Sequence, residues 1–373
     1  MRRALPALLF TLALPVAAWS LWRWTGFRGA ALREVDYALY VAAARQGLDQ
    51  GWHHLYDLEA QRRVWQQFPG LWWFPNVYTP ALAVFMVPFA GLPLETGYAL
   101  FATLLFASLL LSWWLLAPGD GLARLSQLPL VFALWPVVVG LWLGQVLALQ
   151  IGALALACVA LRRGRERTAG ALLAVIALKP QGMLLVPFAL LAAGRRKLFA
   201  AWSLVMALIG AGVLALIGFD GALAWLHRLS YARAHLQEFK VAWSYSLARR
   251  IDGPALWLIE AGAVALTLLA ARRHRDAPEL VVAAGLAGSL VASPFIHLDD
   301  FMLLLPALWL LLRAAPGVPA AAVALAGLCA MELSFDEGVG GRWLLLYVCL
   351  LLPALLLGRW PRPGANPSAL RGR

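Results

Sequence analysis

The chain has 373 residues, 62% of them hydrophobic and only 13% charged, and its mean hydropathy is +0.75. A soluble chain carries roughly 45–50% apolar and about 25% charged residues, so this composition excludes a large soluble domain. The net charge of +12 resides in short loops such as "RRGRER", "GRRK" and "ARRHR" and in the tail; it reads as cytoplasmic-loop charge, and nucleic acid is not an expected partner.

The apolar residues are clustered in runs such as "LFTLALPVAAWSLW", "LFATLLFASLLLSWWLL" and "FMLLLPALWLLL". These approach the roughly 20 residues that cross a bilayer. Lipid offers no partner to backbone N–H and C=O groups, so such runs are expected to be helices. Cys158, Cys329 and Cys349 lie inside apolar runs without metal-ligand spacing and read as buried free thiols. No ligand cluster demands a metal, and no cofactor motif is present.

Along the chain, residues 5–22 are predicted to form an uncleaved first span behind "MRR". A polar segment over 23–76 follows as a first outer loop with helical signals of its own. Apolar segments come next at about 77–92, 98–117, 128–143 and 145–161. Five crossings from an inside N-terminus would leave "RRGRER" outside, against the positive-inside rule, so one segment must fail to cross. The shortest and most interrupted is "VYTPALAVFMVPFAGLP", with Pro80, Pro88 and Pro93.

The stretch "TAGALLAVIALKPQGMLLVPFALLAAGRRK" lies between two basic clusters and is broken at Lys179-Pro180. It is too long for one span and too short for two, so it is predicted to dip in and return with Lys179 at its tip. Broken helices are tolerated where backbone lines a protein or water-filled cavity. Later spans are expected at about 198–218, 254–271, 279–296, 301–313, 318–335 and 343–358, with a second outer loop over 219–253. A basic cytoplasmic tail follows over 359–373. The whole is predicted to be one membrane domain of about 10–12 helices.

Ionisable groups at membrane depth are functional candidates by default. Asp36 and Tyr40 share a helix face by i, i+4 spacing. Asp36 reads either as a base at the outer interface or as a helix cap. Lys179, in "ALKPQG" with Gln181, reads as a phosphate contact or as a snorkelling lysine beside a helix break. "SPFIHLDD" gathers His297, Asp299 and Asp300 in four residues, as phosphate or sugar contacts, a proton relay or a polar turn. Gly144-Gln145 is adequately explained as a turn or a packing position. Glu260 and Glu332 read as interfacial.

In this order, "VDYALYVAAARQGLDQGWHHLYD", "YTP", "GQ", "AGALLAVIALKPQ" and "ASPFIHLDDFMLLLP" resemble the motifs of glycosyltransferase family 87, over about Asp36 to Pro306. The resemblance implies an all-α polytopic membrane protein of the GT-C class, with short re-entrant helices and amphipathic helices in the first outer loop. It implies an inverting transfer of a hexose, mannose first, from a polyprenyl-phosphate sugar to a lipid or glycan acceptor. The expected place is the periplasmic or extracellular face of a bacterial-type plasma membrane. It assigns Asp36 as catalytic base and Lys179 and His297 as donor-phosphate ligands, with Tyr40, Tyr78, Gln181, Asp299 and Asp300 as further site candidates. Many relatives resemble "H-x-Tyr-Asp" where this chain has Asp299 in the tyrosine's place, which leaves the role of Asp299 open. A secondary transporter or lipid flippase is the alternative, supported by broken helices and a lysine at membrane depth. A scaffold without catalysis would leave Asp36, Lys179 and His297 with no shared site.

Overall fold

The computed structural model describes residues 4–26, 32, 35–66, 75–234, 245–251, 253–334, 340–358 and 360. "MRR", the tail apart from Trp360 and the "FDEGV" portion of the loop before the last helix lie outside them. Among the described residues the structure is all-helical, with no strand.

Helix α1 (Ala4–Thr25) covers the first apolar run. The segment expected as the first outer loop carries α2 (Asp36–Gln50) and α3 (Leu58–Trp65). Helix α3 starts on Asp57, whose carboxylate accepts from the backbone N–H groups of Glu59 and Ala60 at 2.8 and 3.1 Å. This satisfies donors that a helix start leaves open.

The proline-interrupted segment folds as two short helices, α4 (Pro80–Phe85) and α5 (Val87–Ala90). Ten helical residues rise only about 15 Å, half a hydrocarbon core, so this segment does not cross as a helix. Helix α6 (Leu94–Leu116) is a full-length span. After α7 (Gly121–Leu125) and α8 (Gln127–Ala133), extended Leu134 and Pro136 start α9 (Trp135–Leu143) at a bend of 57°. Gly144, at φ 70°, ends α9 in the left-handed region, and α10 (Leu147–Arg162) turns back.

Residues 166–195 form a hairpin. Helix α11 (Glu166–Leu173) runs into a 3-10 turn, Ala174–Leu178. Lys179 is extended, and a second 3-10 turn, Pro180–Gly182, leads into α12 (Leu185–Ala192). Glu166, at the start, is 3.2 Å from Arg195, just past the end. The segment therefore goes in and comes back, with Lys179-Pro180 at the break. The break strands backbone carbonyls, which need partners inside a protein. Thr79 donates to the Ala177 and Leu178 oxygens at 2.8 and 3.1 Å, and Gln150 donates to the Lys179 oxygen at 3.0 Å.

Helix α13 (Arg196–Ala234) is broken at Gly218, where the expected span ends. Its membrane portion exposes Leu204, Leu208 and Leu214, a lipid-facing pattern. Helices α14 (Gly253–Arg273), α15 (Pro278–Ala292), α16 (Leu304–Ala314), α17 (Val318–Leu333) and α18 (Gly340–Leu357) complete the bundle. Helix α15 is buried on every side from Leu280 to Val291, which explains an apolar run without an amphipathic face. Among the described residues, α6, α14 and the membrane part of α13 are long and apolar enough to span alone, and the bent pair around Leu134 makes a fourth. Shorter apolar helices, α10, α15, α17 and α18 among them, pack between these.

The hairpin carries a topological prediction. With Cys158, Cys329 and Cys349 replaced by alanine, Arg163→Cys and Arg196→Cys should react with a membrane-impermeant maleimide from the same face. Labelling from opposite faces would mean that residues 166–195 cross.

Candidate active site

The first helical residue of α2 is Asp36; extended Val35 holds the N-cap position, so Asp36 does not cap this helix. Its carboxylate instead accepts from the Gln145 side-chain amide and from the Tyr78 hydroxyl. One turn along α2, the Tyr40 hydroxyl donates to Gln145 Oε1 at 2.9 Å, and its ring meets that of Tyr78 edge-on at 4.8 Å. Asp36 and Tyr78 keep partial exposure, whereas Tyr40 and Gln145 are fully buried.

Gly144 makes this approach possible. A Cβ there would lie 2.8 Å from the Tyr37 Cβ, so only glycine lets the α9–α10 turn close onto the start of α2. The Tyr98 hydroxyl fixes the turn from α6, bonding the Leu141 and Trp142 oxygens at 3.2 and 3.0 Å while accepting from Trp24 at 2.8 Å.

On the other side of Gln145 lies the hairpin tip. The Lys179 ammonium is 2.9 Å from Gln145 Oε1, 3.0 Å from Asp299 Oδ2 and 2.8 Å from Asp300 Oδ1. Lys179, Asp299 and Asp300 are all buried. Asp300 also accepts from the His297 backbone N–H at 2.8 Å, which anchors the polar turn at the start of a 3-10 helix, Leu298–Leu303. His297 itself is half-exposed at the rim, with its ring 4.6 Å from that of Phe295. Gln181, half-buried past the break, is not joined to this network through any described residue. Beside Tyr78 a small pocket opens between α2 and α3, lined by Leu39, Gln46, Gln61, Trp65 and Asn76 among others.

Asp36, Tyr40, Tyr78, Lys179, Asp299 and Asp300 thus share one network, and His297 is attached to it through Asp300. Lys179 donates to Gln145 and Asp299 and is ion-paired with Asp300, so protein groups enclose the ammonium and a phosphate reaches it only by displacing one of them. Among the described residues no three acidic, His or Cys groups are arranged as metal ligands. The space between Asp299 and Asp300 is filled by the ammonium. Gln145 is the member that the sequence alone explained as a turn or a packing position, and that entered the family resemblance only within "GQ". The signal it offered was an amide between two apolar runs, directly after a helix-ending glycine.

Asp36 lies on α2, outside the membrane-spanning helices. Desolvation by burial, then the neighbouring Asp299, push its carboxyl up to about 7, against the opposing pull of Lys179 and of the Tyr78 hydroxyl. A carboxylate near 7 is poised to exchange a proton at neutral pH.

The family model of glycosyltransferase family 87 matches residues 76–294, more than half of the chain. The chain belongs to glycosyltransferase family 87. No curated protein and no solved structure matches it. The family 87 match begins just before Tyr78 and contains Gln145, Lys179 and the hairpin. Asp36 and Tyr40 precede it, and His297, Asp299 and Asp300 follow it. The two flanks of the matched region therefore supply the acids, and its middle supplies the cation and amide between them.

Because Lys179 is the counter-charge for two buried carboxylates, Lys179→Ala should lower stability by about 3–5 kcal/mol. Thermal unfolding of the protein in detergent would read this. An unchanged melting temperature would mean that Asp299 and Asp300 find another counter-charge.

Proposed function

We propose that this family 87 protein transfers a hexose, with mannose the first candidate, from a polyprenyl-phosphate sugar to a hydroxyl of a lipid or glycan acceptor. The reaction inverts the anomeric centre and takes place at the outer face of a bacterial-type plasma membrane. The reading rests on one observation above others: a partly exposed carboxylate, Asp36, held by fixed hydrogen bonds with its pKa near 7.

In this scheme the acceptor oxygen attacks the anomeric carbon as its proton passes to Asp36. The bond from that carbon to the phosphate oxygen breaks in the same step, and a β-linked donor gives an α-linked product. Asp36 loses its negative charge as the leaving phosphate gains one. The acid-rich site is therefore less hostile to the product anion than its charge count suggests. His297, half-exposed at the rim, is the better-placed phosphate ligand, and Lys179 would join it only by exchanging a partner. Membership of a glycosyltransferase family, with Asp36 and Lys179 in one network, weighs against a transporter, a flippase or a non-catalytic scaffold.

The test uses full-length protein in nanodiscs with radiolabelled polyprenyl-phosphate mannose and a cellular lipid extract as acceptor. Asp36→Asn should lower kcat by about 100- to 10,000-fold with the folded protein intact. Retention of full activity would remove Asp36 from the base role. For the wild type, the reactive form of the base is the ionised one, which accumulates as pH rises through its pKa. kcat/KM should therefore rise with pH through about 7 and level off above it. A flat profile between about pH 5 and 9 would contradict this assignment.

A further inference from the structure

We propose that Gln145 is a positioning residue for the base: its side-chain amide holds the Asp36 carboxylate in one orientation and couples it to the Lys179 ammonium. The inference rests on reading Asp36 as the base and deepens that reading.

The amide can face only one way. An ammonium has donors and no acceptor, so the Gln145 atom 2.9 Å from Lys179 must be the oxygen. The Tyr40 hydroxyl, donating to the same oxygen at 2.9 Å, agrees with this. The nitrogen is then forced toward Asp36, where it donates to Oδ2. A flipped amide would set its N–H groups against the ammonium and its oxygen against a carboxylate.

Two consequences follow. First, Oδ2 of Asp36 is held by a fixed donor, which sets the plane of the carboxylate. Second, the positive charge on Lys179 polarises the Gln145 carbonyl and strengthens the N–H that faces Asp36, since hydrogen bonds in a chain reinforce one another. That N–H favours the ionised carboxylate and opposes the desolvation and the Asp299 charge acting on Asp36. Loss of the amide should therefore leave the carboxylate harder to ionise.

Infrared titration of full-length protein in nanodiscs tests this without any substrate. The Asp36 carboxyl band is identified by its loss in Asp36→Asn. In Gln145→Leu the donor is gone, and in Gln145→Glu a second negative charge faces Asp36. Glutamate keeps the size of glutamine and can still accept from Tyr40 and Lys179, so it covers the case in which leucine fails to fold. Both variants should move the Asp36 midpoint upward by about one unit, which is about tenfold in the ionisation constant. Turnover of radiolabelled polyprenyl-phosphate mannose with the lipid extract should show the rising limb of kcat/KM shifted by the same amount, with KM for the donor at high pH unchanged.

A midpoint that stays within about 0.3 units in both variants would overturn the proposal, because a packing role alone does not move it. Full activity in Asp36→Asn with a shifted midpoint in the Gln145 variants would instead sink the base assignment and leave the coupling standing.

Discussion

An ammonium buried between two carboxylates is the interaction on which the rest of this molecule depends. Taking Lys179 out of water is costly unless opposite charges and hydrogen bonds meet it on every side. Asp299, Asp300 and Gln145 do so, and they come from different parts of the chain. The hairpin that delivers Lys179, the polar turn that delivers the two acids and the glycine turn that delivers Gln145 are thereby held in one arrangement. Asp36 is joined to this arrangement through Gln145 and, like Tyr78 and His297, keeps contact with solvent.

The network also separates charge by depth. Its inner part is closed, with the lysine and both acids buried. Its outer part, Asp36, Tyr78 and His297, is partly open. In the proposed reaction the lipid-linked donor would bring its phosphate and sugar to the membrane surface while its tail stays in the bilayer. The open groups are the ones such a substrate can meet first. The closed groups set their orientation and charge from behind.

Much of this was legible in the sequence. Length and hydropathy located α6, α13 and α14, and Pro80 with Pro88 marked a segment that cannot cross as one helix. Lys179-Pro180 between two basic clusters identified the hairpin, and the Glu166–Arg195 pair closes it where the charges implied. The individual candidates Asp36, Lys179 and Asp299 were visible because carboxylates and lysines are rare at membrane depth. Their pairing was not visible. Nothing in local pattern says that Lys179 faces Asp299 and Asp300, 120 residues away in the case of Asp299. Gln145 was harder still, since an uncharged amide after a glycine has an adequate explanation as a turn. Gln150 and Thr79, which satisfy the carbonyls at the hairpin break, were hidden for the same reason.

The hairpin behaves as a ruler. Its two arms begin and end at the Glu166–Arg195 clasp, and its tip is gripped by Thr79 from α4 and Gln150 from α10. One residue more or fewer in an arm would turn its side chains by about 100° and carry Lys179 away from its carboxylates. The number of residues from clasp to tip is therefore as constrained as their identity. Variation in length should therefore be excluded from the 28 or so residues between the clasp partners, as the helical repeat requires.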